Sequence, residues 1–138
     1  MRQHQDRIEV ATAGRGFVDV TERVAGVVRA SGIATGLALI FCRHTSASLL
    51  VQENADPSVR RDLERWFERL APEGRGYEHD DEGPDDMPSH LKCALLRTSE
   101  TIPVTDGRLA LGTWQGLWLV EHRRRPHRRE LIVHVTGV

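Results

Sequence analysis

The stretch Thr101-Ile102-Pro103-Val104-Thr105-Asp106-Gly107-Arg108-Leu109-Ala110-Leu111 decides the fold class. Asp-Gly between two apolar runs is a strong signal for a tight β-hairpin turn, because both central positions must reach positive φ. The chain therefore reads as β from Thr101, with a second strand expected from Leu109 to about Arg123. Pro126 breaks the ladder, and Leu131-Ile132-Val133-His134-Val135 reads as a final strand.

Upstream, Met87 to about Arg97 predicts a short helix with Leu91, Ala94 and Leu95 as its apolar face. Asp85 or Asp86 is placed to cap it, and Pro88 fits its first turn. Residues 73–86 hold four Gly or Pro and seven acids against one Arg, the composition of a loop. Asp56-Pro57 starts another helix, with Val59, Leu63, Trp66, Phe67 and Leu70 on one face and an end near Ala71-Pro72. Leu37 to Phe41 is a continuous apolar run, expected as a buried strand leading into Arg43-His44-Thr45-Ser46-Ala47-Ser48-Leu49. Nearer the N-terminus, Arg7 to Thr12 alternates as a half-buried strand, and Phe17 to Val20 follows the Gly14-Arg15-Gly16 turn. A helix then carries Val24, Val27 and Val28, with Thr21 as candidate N-cap and Gly32 as its stop. No repeat, low-complexity tract or linker interrupts the pattern. The expected architecture is one α+β domain over residues 1–138, with a mostly antiparallel or mixed sheet and two or three helices.

Lys plus Arg number 19 against 20 Asp plus Glu, a formal net charge of −1, which argues against a general nucleic-acid binder. The longest apolar run, Leu37 to Cys42, is far too short to cross a bilayer, and the polar N-terminus lacks a signal-peptide core. Cys42 and Cys93 lie in apolar contexts without metal-type spacing and read as reduced core thiols, which suits a cytoplasmic protein. Every basic residue but Lys92 is Arg, so a catalytic lysine is nearly excluded while bidentate anion recognition is plentiful.

Four segments carry candidate chemistry. His44, Ser46 and Ser48 share one face if the Leu37 strand continues, making a wall of one imidazole and two hydroxyls; hydroxyls capping a strand end are the simpler alternative. Residues 78–90 hold six acids and the two imidazoles His79 and His90, suited to a divalent cation or else to a solvated acidic loop. In Gly112 to Arg123, alternation places Gln115 and Glu121 on one strand face and His122 on the other. Buried there, Gln115 and Glu121 need partners, and Trp114 and Trp118 read as core. Residues 122–129 carry five Arg around Pro126, an anion-binding turn or a solubilising surface.

Together these segments closely resemble the YjbQ-like family, whose members are described as secondary thiamine-phosphate synthases. The match runs through Phe41 to Leu49, Glu53-Asn54-Ala55-Asp56-Pro57, Tyr77-Glu78-His79 and Gly83 to Lys92. It continues through Ser99 to Val104, Asp106 to Leu109, Leu111 to Gly116 and Glu121-His122-Arg123, spanning residues 8 to 136. The resemblance implies a homotrimer with sites near subunit contacts, and a His-lined site for a divalent metal ion, zinc foremost. By position it implies His44, His79 and His90 as the ligand set. It implies thiamine-phosphate formation, in which a thiazole nitrogen replaces pyrophosphate on an aminopyrimidine methylene carbon. Ser46, Asp86, Gln115, Glu121 and Arg123 are then the candidate catalytic residues, gripping the ring or contacting phosphate, with a small phosphorylated metabolite as partner. Rival readings are a metal-dependent hydrolase of a small phosphoester, or a non-catalytic trimeric protein binding metal or metabolite.

Overall fold

The computed structural model describes residues 1–74 and 76–138. In chain order the elements are β1 (Arg2–Thr12), β2 (Gly16–Asp19), α1 (Thr21–Ser31), β3 (Gly36–Cys42) and β4 (Ala47–Glu53). There follow α2 (Pro57–Leu70), α3 (Asp86–Leu95), β5 (Ser99–Thr105), β6 (Arg108–Leu109), β7 (Gln115–Glu121) and β8 (His127–Gly137). They form two antiparallel sheets, one in the order β1-β8-β3-β5-β6 and the other β2-β7-β4. The α+β expectation holds, with three helices.

Alternation along β7 explains the layers. Leu117 and Leu119 join Ile40, Leu49, Leu131 and Val133 in the main core between the sheets. Trp118 and Val120 point the other way, against Phe67 of α2 and Phe17 of β2. Fully burying a side chain of this size contributes roughly 1.5–3 kcal/mol, so the inter-sheet face holds the fold. The helix face is smaller, and α2 buries only Phe67 completely, leaving Trp66 and Leu70 each 47% exposed. The stripe expected from Val59 to Leu70 is wider than the three-stranded sheet can cover.

Local chemistry fixes the boundaries. Asp106 (φ 51) and Gly107 (φ 73) both lie in the left-handed region, as the hairpin turn requires. Asp56 accepts the Ser58 N–H at 2.9 Å and Pro57 opens α2. Gly32 ends α1 with φ 67. Thr21 does not cap α1 from outside; it is the first helical residue, and its Oγ1 accepts the Leu117 N–H at 2.9 Å. At Gly36 a Cβ would lie 2.0 Å from the Thr136 carbonyl oxygen, so the β3–β8 approach demands glycine.

Several boundaries differ from expectation, among them the final strand, which runs from His127 to Gly137 rather than from Leu131 to Val135. β1 starts five residues earlier than Arg7, because Arg2 to Asp6 pair with Val133 to Gly137 and so gain ladder bonds despite their polarity. The strand expected from Leu109 to Arg123 is two strands in different sheets, separated by residues 110–114. The wall expected at His44, Ser46 and Ser48 is broken at residues 43–46, where the chain passes from β3 to β4. Among the described residues no helix is long and apolar enough to cross a membrane.

Candidate metal centre and adjoining clefts

The helix α3 begins with two aspartates, and neither caps it with its side chain. Asp85 instead accepts Arg123 Nε at 3.0 Å and the Arg124 N–H at 2.9 Å. Asp86 accepts Arg123 Nη1 at 2.8 Å through Oδ1. A third arm of Arg123, Nη2, donates to the Glu82 carbonyl at 2.9 Å. One guanidinium just beyond β7 thus pins the acidic loop to the helix start, using the planar fork that lysine lacks.

With Oδ1 held, Asp86 Oδ2 faces two imidazoles. It lies 2.7 Å from His79 Nε2 and 3.2 Å from His90 Nε2, one turn further along α3. The His79 and His90 rings meet edge to face with centroids 5.4 Å apart. His79, Asp86 and His90 offer three ligand atoms within 4.8 Å of one another. Ligands about 2.0–2.1 Å from a tetrahedral zinc stand about 3.3 Å apart. The carboxylate–imidazole distances of 2.7 and 3.2 Å therefore need only modest widening, and two imidazoles with one carboxylate suit a borderline metal. Asp86 is 3% exposed, whereas His79 and His90 open toward solvent, so the centre has a buried anchor and an accessible side.

The electrostatics agree. Burial works against the Asp86 charge, but hydrogen bonds from the His79 side and the charges of His90 and Arg123 bring its pKa below the usual value. The hydrogen bond to Asp86 raises that of His79. Asp86 thus stays a carboxylate at neutral pH, and a metal must displace the proton that His79 tends to hold.

The other candidates are placed elsewhere. Among the described residues His44 is not in the cluster, and its Nε2 accepts the Glu130 N–H at 2.7 Å. That bond occupies the lone pair a metal would use and leaves Nδ1 as the protonated nitrogen. Burial, followed by the Arg129 charge, lowers its pKa and keeps it neutral. His44, Ser46, Arg43 and Arg129 line a separate open cleft beside Phe41.

Glu121 is sealed between the sheets. Its Oε1 accepts Thr12 Oγ1 at 2.6 Å and Arg129 Nε at 2.8 Å, and its Oε2 accepts Arg129 Nη2 at 2.5 Å and the Arg123 N–H at 3.2 Å. Despite burial, the Arg129 hydrogen bond holds its pKa low. With its acceptors filled it positions Arg129 and the start of the β7–β8 turn rather than meeting a substrate. Arg129 also donates to Ser46 Oγ at 2.9 Å.

Gln115 corrects an expectation. It is exposed at the opposite end of β7, about 20 Å from Glu121 by strand rise, and its Oε1 accepts the Gly112 N–H at 2.8 Å. It closes a turn and does not join the site. Trp114 is likewise 64% exposed rather than core, while Trp118 is buried.

Arg123, expected to contact phosphate, is committed to Asp85 and Asp86, and Arg129 to Glu121. Lys92 and His122, outside the candidate set drawn from the sequence, are also buried polar residues, as is Asp85, which the resemblance offers beside Asp86 as a polar grip on the ring. The signal available for Lys92 is that it is the only lysine of the chain.

A family model described as UPF0047 protein YjbQ-like matches residues 6–138. A UPF0047 protein of Synechocystis is 56% identical over 137 residues, covering 99% of this chain and 93% of that protein. The UPF0047 protein YjbQ of Escherichia coli O157:H7 is 44% identical, covering 97% of this chain and 98% of its own length. A crystal structure described as a YbjQ-like protein of unknown function from Sulfolobus solfataricus superposes with a TM-score of 0.92 at 29% identity, covering 99% of both chains.

Proposed function

The chain belongs to the YjbQ-like UPF0047 family, and from that premise we propose that it is a divalent-metal-dependent enzyme acting on a small phosphorylated metabolite. The observation that carries the proposal is the convergence of His79, Asp86 and His90 within 4.8 Å. Three protein ligands with open positions is the pattern of catalytic rather than structural zinc. When bound there, the ion would supply charge neutralisation to a phosphate or pyrophosphate group.

The chain's own residues divide the remaining work. Asp86 anchors the ion, and Arg123 holds the anchor ionised and fixed, the outer support that metal ligands generally need. His44 offers a neutral Nδ1–H, and Ser46, held by Arg129, offers a hydroxyl in the neighbouring cleft. The finer form of the proposal is thiamine-phosphate synthesis, with pyrophosphate leaving the aminopyrimidine methylene carbon as the thiazole nitrogen bonds to it.

The assembly proposed is a homotrimer. Leu37, Leu39 and Phe41 stand in a row on the outer face of β3, between 40% and 47% exposed, in the middle of the five-stranded sheet. An apolar ridge of that kind marks a protein contact, and a second copy is the occupant proposed because Phe41 also lines the His44 cleft. A subunit seated there would wall off that cleft.

The test is turnover by zinc-loaded and zinc-stripped protein with hydroxymethylpyrimidine diphosphate plus thiazole phosphate, beside a phosphoester panel. Zinc-dependent thiamine-phosphate formation, lost in Asp86→Asn, supports the finer form. Hydrolysis of phosphoesters alone supports the metal-hydrolase alternative. Absence of turnover on both sets overturns the enzymatic reading.

A further inference from the structure

A second cleft, of about 240 Å3, lies between the helix layer and the three-stranded sheet. Phe17, Val120 and His122 come from the sheet side, Phe67 and Glu68 from α2, and Lys92 from α3. Lys92 follows His90 by two residues, which turns it about 200° around the helix, so the cleft and the metal centre occupy different sides of α3.

Two buried groups at this cleft have unspent hydrogen-bonding capacity. Lys92 is 4% exposed, and among the described residues its Nζ makes one side-chain bond, to Glu68 Oε1 at 2.7 Å. An ammonium has three donors. The same Glu68 oxygen also accepts Arg15 Nη1 at 2.9 Å, so one carboxylate oxygen serves two cations.

His122 is 2% exposed, and its protonation pattern follows from a chain of bonds. The Ala47 carbonyl only accepts, so Cys93 Sγ donates to it at 3.3 Å. Ser48 Oγ then donates to Cys93 Sγ at 3.3 Å, and His122 Nε2 must donate to Ser48 at 2.9 Å. Burial and then the Lys92 charge push the His122 pKa down to about 3, so the ring is neutral. Its Nδ1 is therefore a bare acceptor. Among the described residues no hydrogen bond to it is seen, and His122 lines the cleft.

We propose that this cleft binds a small oxyanion carrying its own adjacent O–H: the anionic oxygen sits on Lys92 Nζ, the O–H donates to His122 Nδ1, and Phe17 and Phe67 flank any apolar remainder. A compact ammonium beside a neutral acceptor selects that pair of groups. A fully deprotonated anion would set a lone pair against the Nδ1 lone pair, which leaves a buried acceptor unsatisfied. Hydrogen phosphate and α-hydroxy carboxylates share the required chemistry. The proposal is independent of the metal centre and of the reaction proposed for it.

The test uses the wild-type protein without added metal, titrated at pH 7 with phosphate, glycolate, sulfate and acetate. Backbone amide shifts of Phe17, Glu68 and His122 report this cleft. Phosphate and glycolate are expected to move them saturably, with sulfate and acetate at least tenfold weaker. Lys92→Met should abolish the shifts and His122→Asn should narrow the gap between protic and aprotic anions. Equal binding of all four anions, or shifts confined to other residues, overturns the proposal, and this comparison needs no variant to fold.

Discussion

Replacing Glu121 by Gln tests whether this carboxylate is an architectural group. The amide exchanges one acceptor for a donor where every neighbour is already donating: Thr12 Oγ1, Arg129 Nε and Nη2, and the Arg123 N–H. Glu121 is 1% exposed and Arg129 5%, so water cannot take the carboxylate's place. Breaking a buried ion pair on one side costs about 3–5 kcal/mol, a large part of the roughly 5–15 kcal/mol that holds an ordinary domain. For 138 residues the unfolding entropy is about 0.3 kcal/mol/K. The midpoint of thermal unfolding should therefore fall by about 10–17 °C, measured by circular dichroism. Adding Arg129→Met removes the stranded cation and should recover about half of the loss, since a well-packed apolar pair often replaces a buried ion pair without penalty. Zinc affinity of the folded Glu121→Gln protein should stay within about threefold of wild type. A midpoint shift below about 3 °C together with loss of turnover would refute the reasoning and make Glu121 a catalytic base.

Zinc affinity should rise with pH through the raised His79 pKa, because a proton must leave that imidazole before it can hold the ion; titrations between pH 5 and 8 check the direction. Stability should fall on acidification from pH 6.5 toward about 3, by roughly 1.4 kcal/mol per unit from His122 alone. The sign follows because the unfolded imidazole takes up a proton in that window and the buried one does not; urea melts should show a flatter acid limb in His122→Asn. Phe41→Arg should convert the proposed trimer to monomer in light scattering while leaving the thermal midpoint of the monomer nearly unchanged, since its side chain stands on the outer sheet face.

Much of this architecture was legible because local signals agreed with the tertiary outcome. Asp106-Gly107, Asp56-Pro57 and Gly32 each have one favoured backbone geometry, and each adopts it. The extent of β1 was hidden because Arg2 to Asp6 carries no apolar pattern; its pairing is decided by β8, more than a hundred residues away. The change of sheet after β6 was hidden because strands of both sheets read alike when each has a buried face. At the site, His79, Asp86 and His90 were all singled out from the acidic loop and the helix start. Their convergence was not readable from spacing, since it depends on Arg123 reaching back from the end of β7 to Asp85 and Asp86. His44 has the residue type of a ligand, but its lone pair is taken by a backbone N–H that no sequence pattern announces. The buried reading of Gln115 and Trp114 assumes one unbroken strand from Leu109, whereas β7 begins only at Gln115, whose side chain turns back to the Gly112 N–H.

Calorimetric titration of zinc into the metal-free chain, comparing wild type with Asp86→Asn and His44→Ala, tests the central claim most directly. One ion per chain is expected for wild type, with affinity reduced at least a hundredfold in Asp86→Asn and changed less than about threefold in His44→Ala. Retained affinity in Asp86→Asn together with lost binding in His44→Ala would contradict the account.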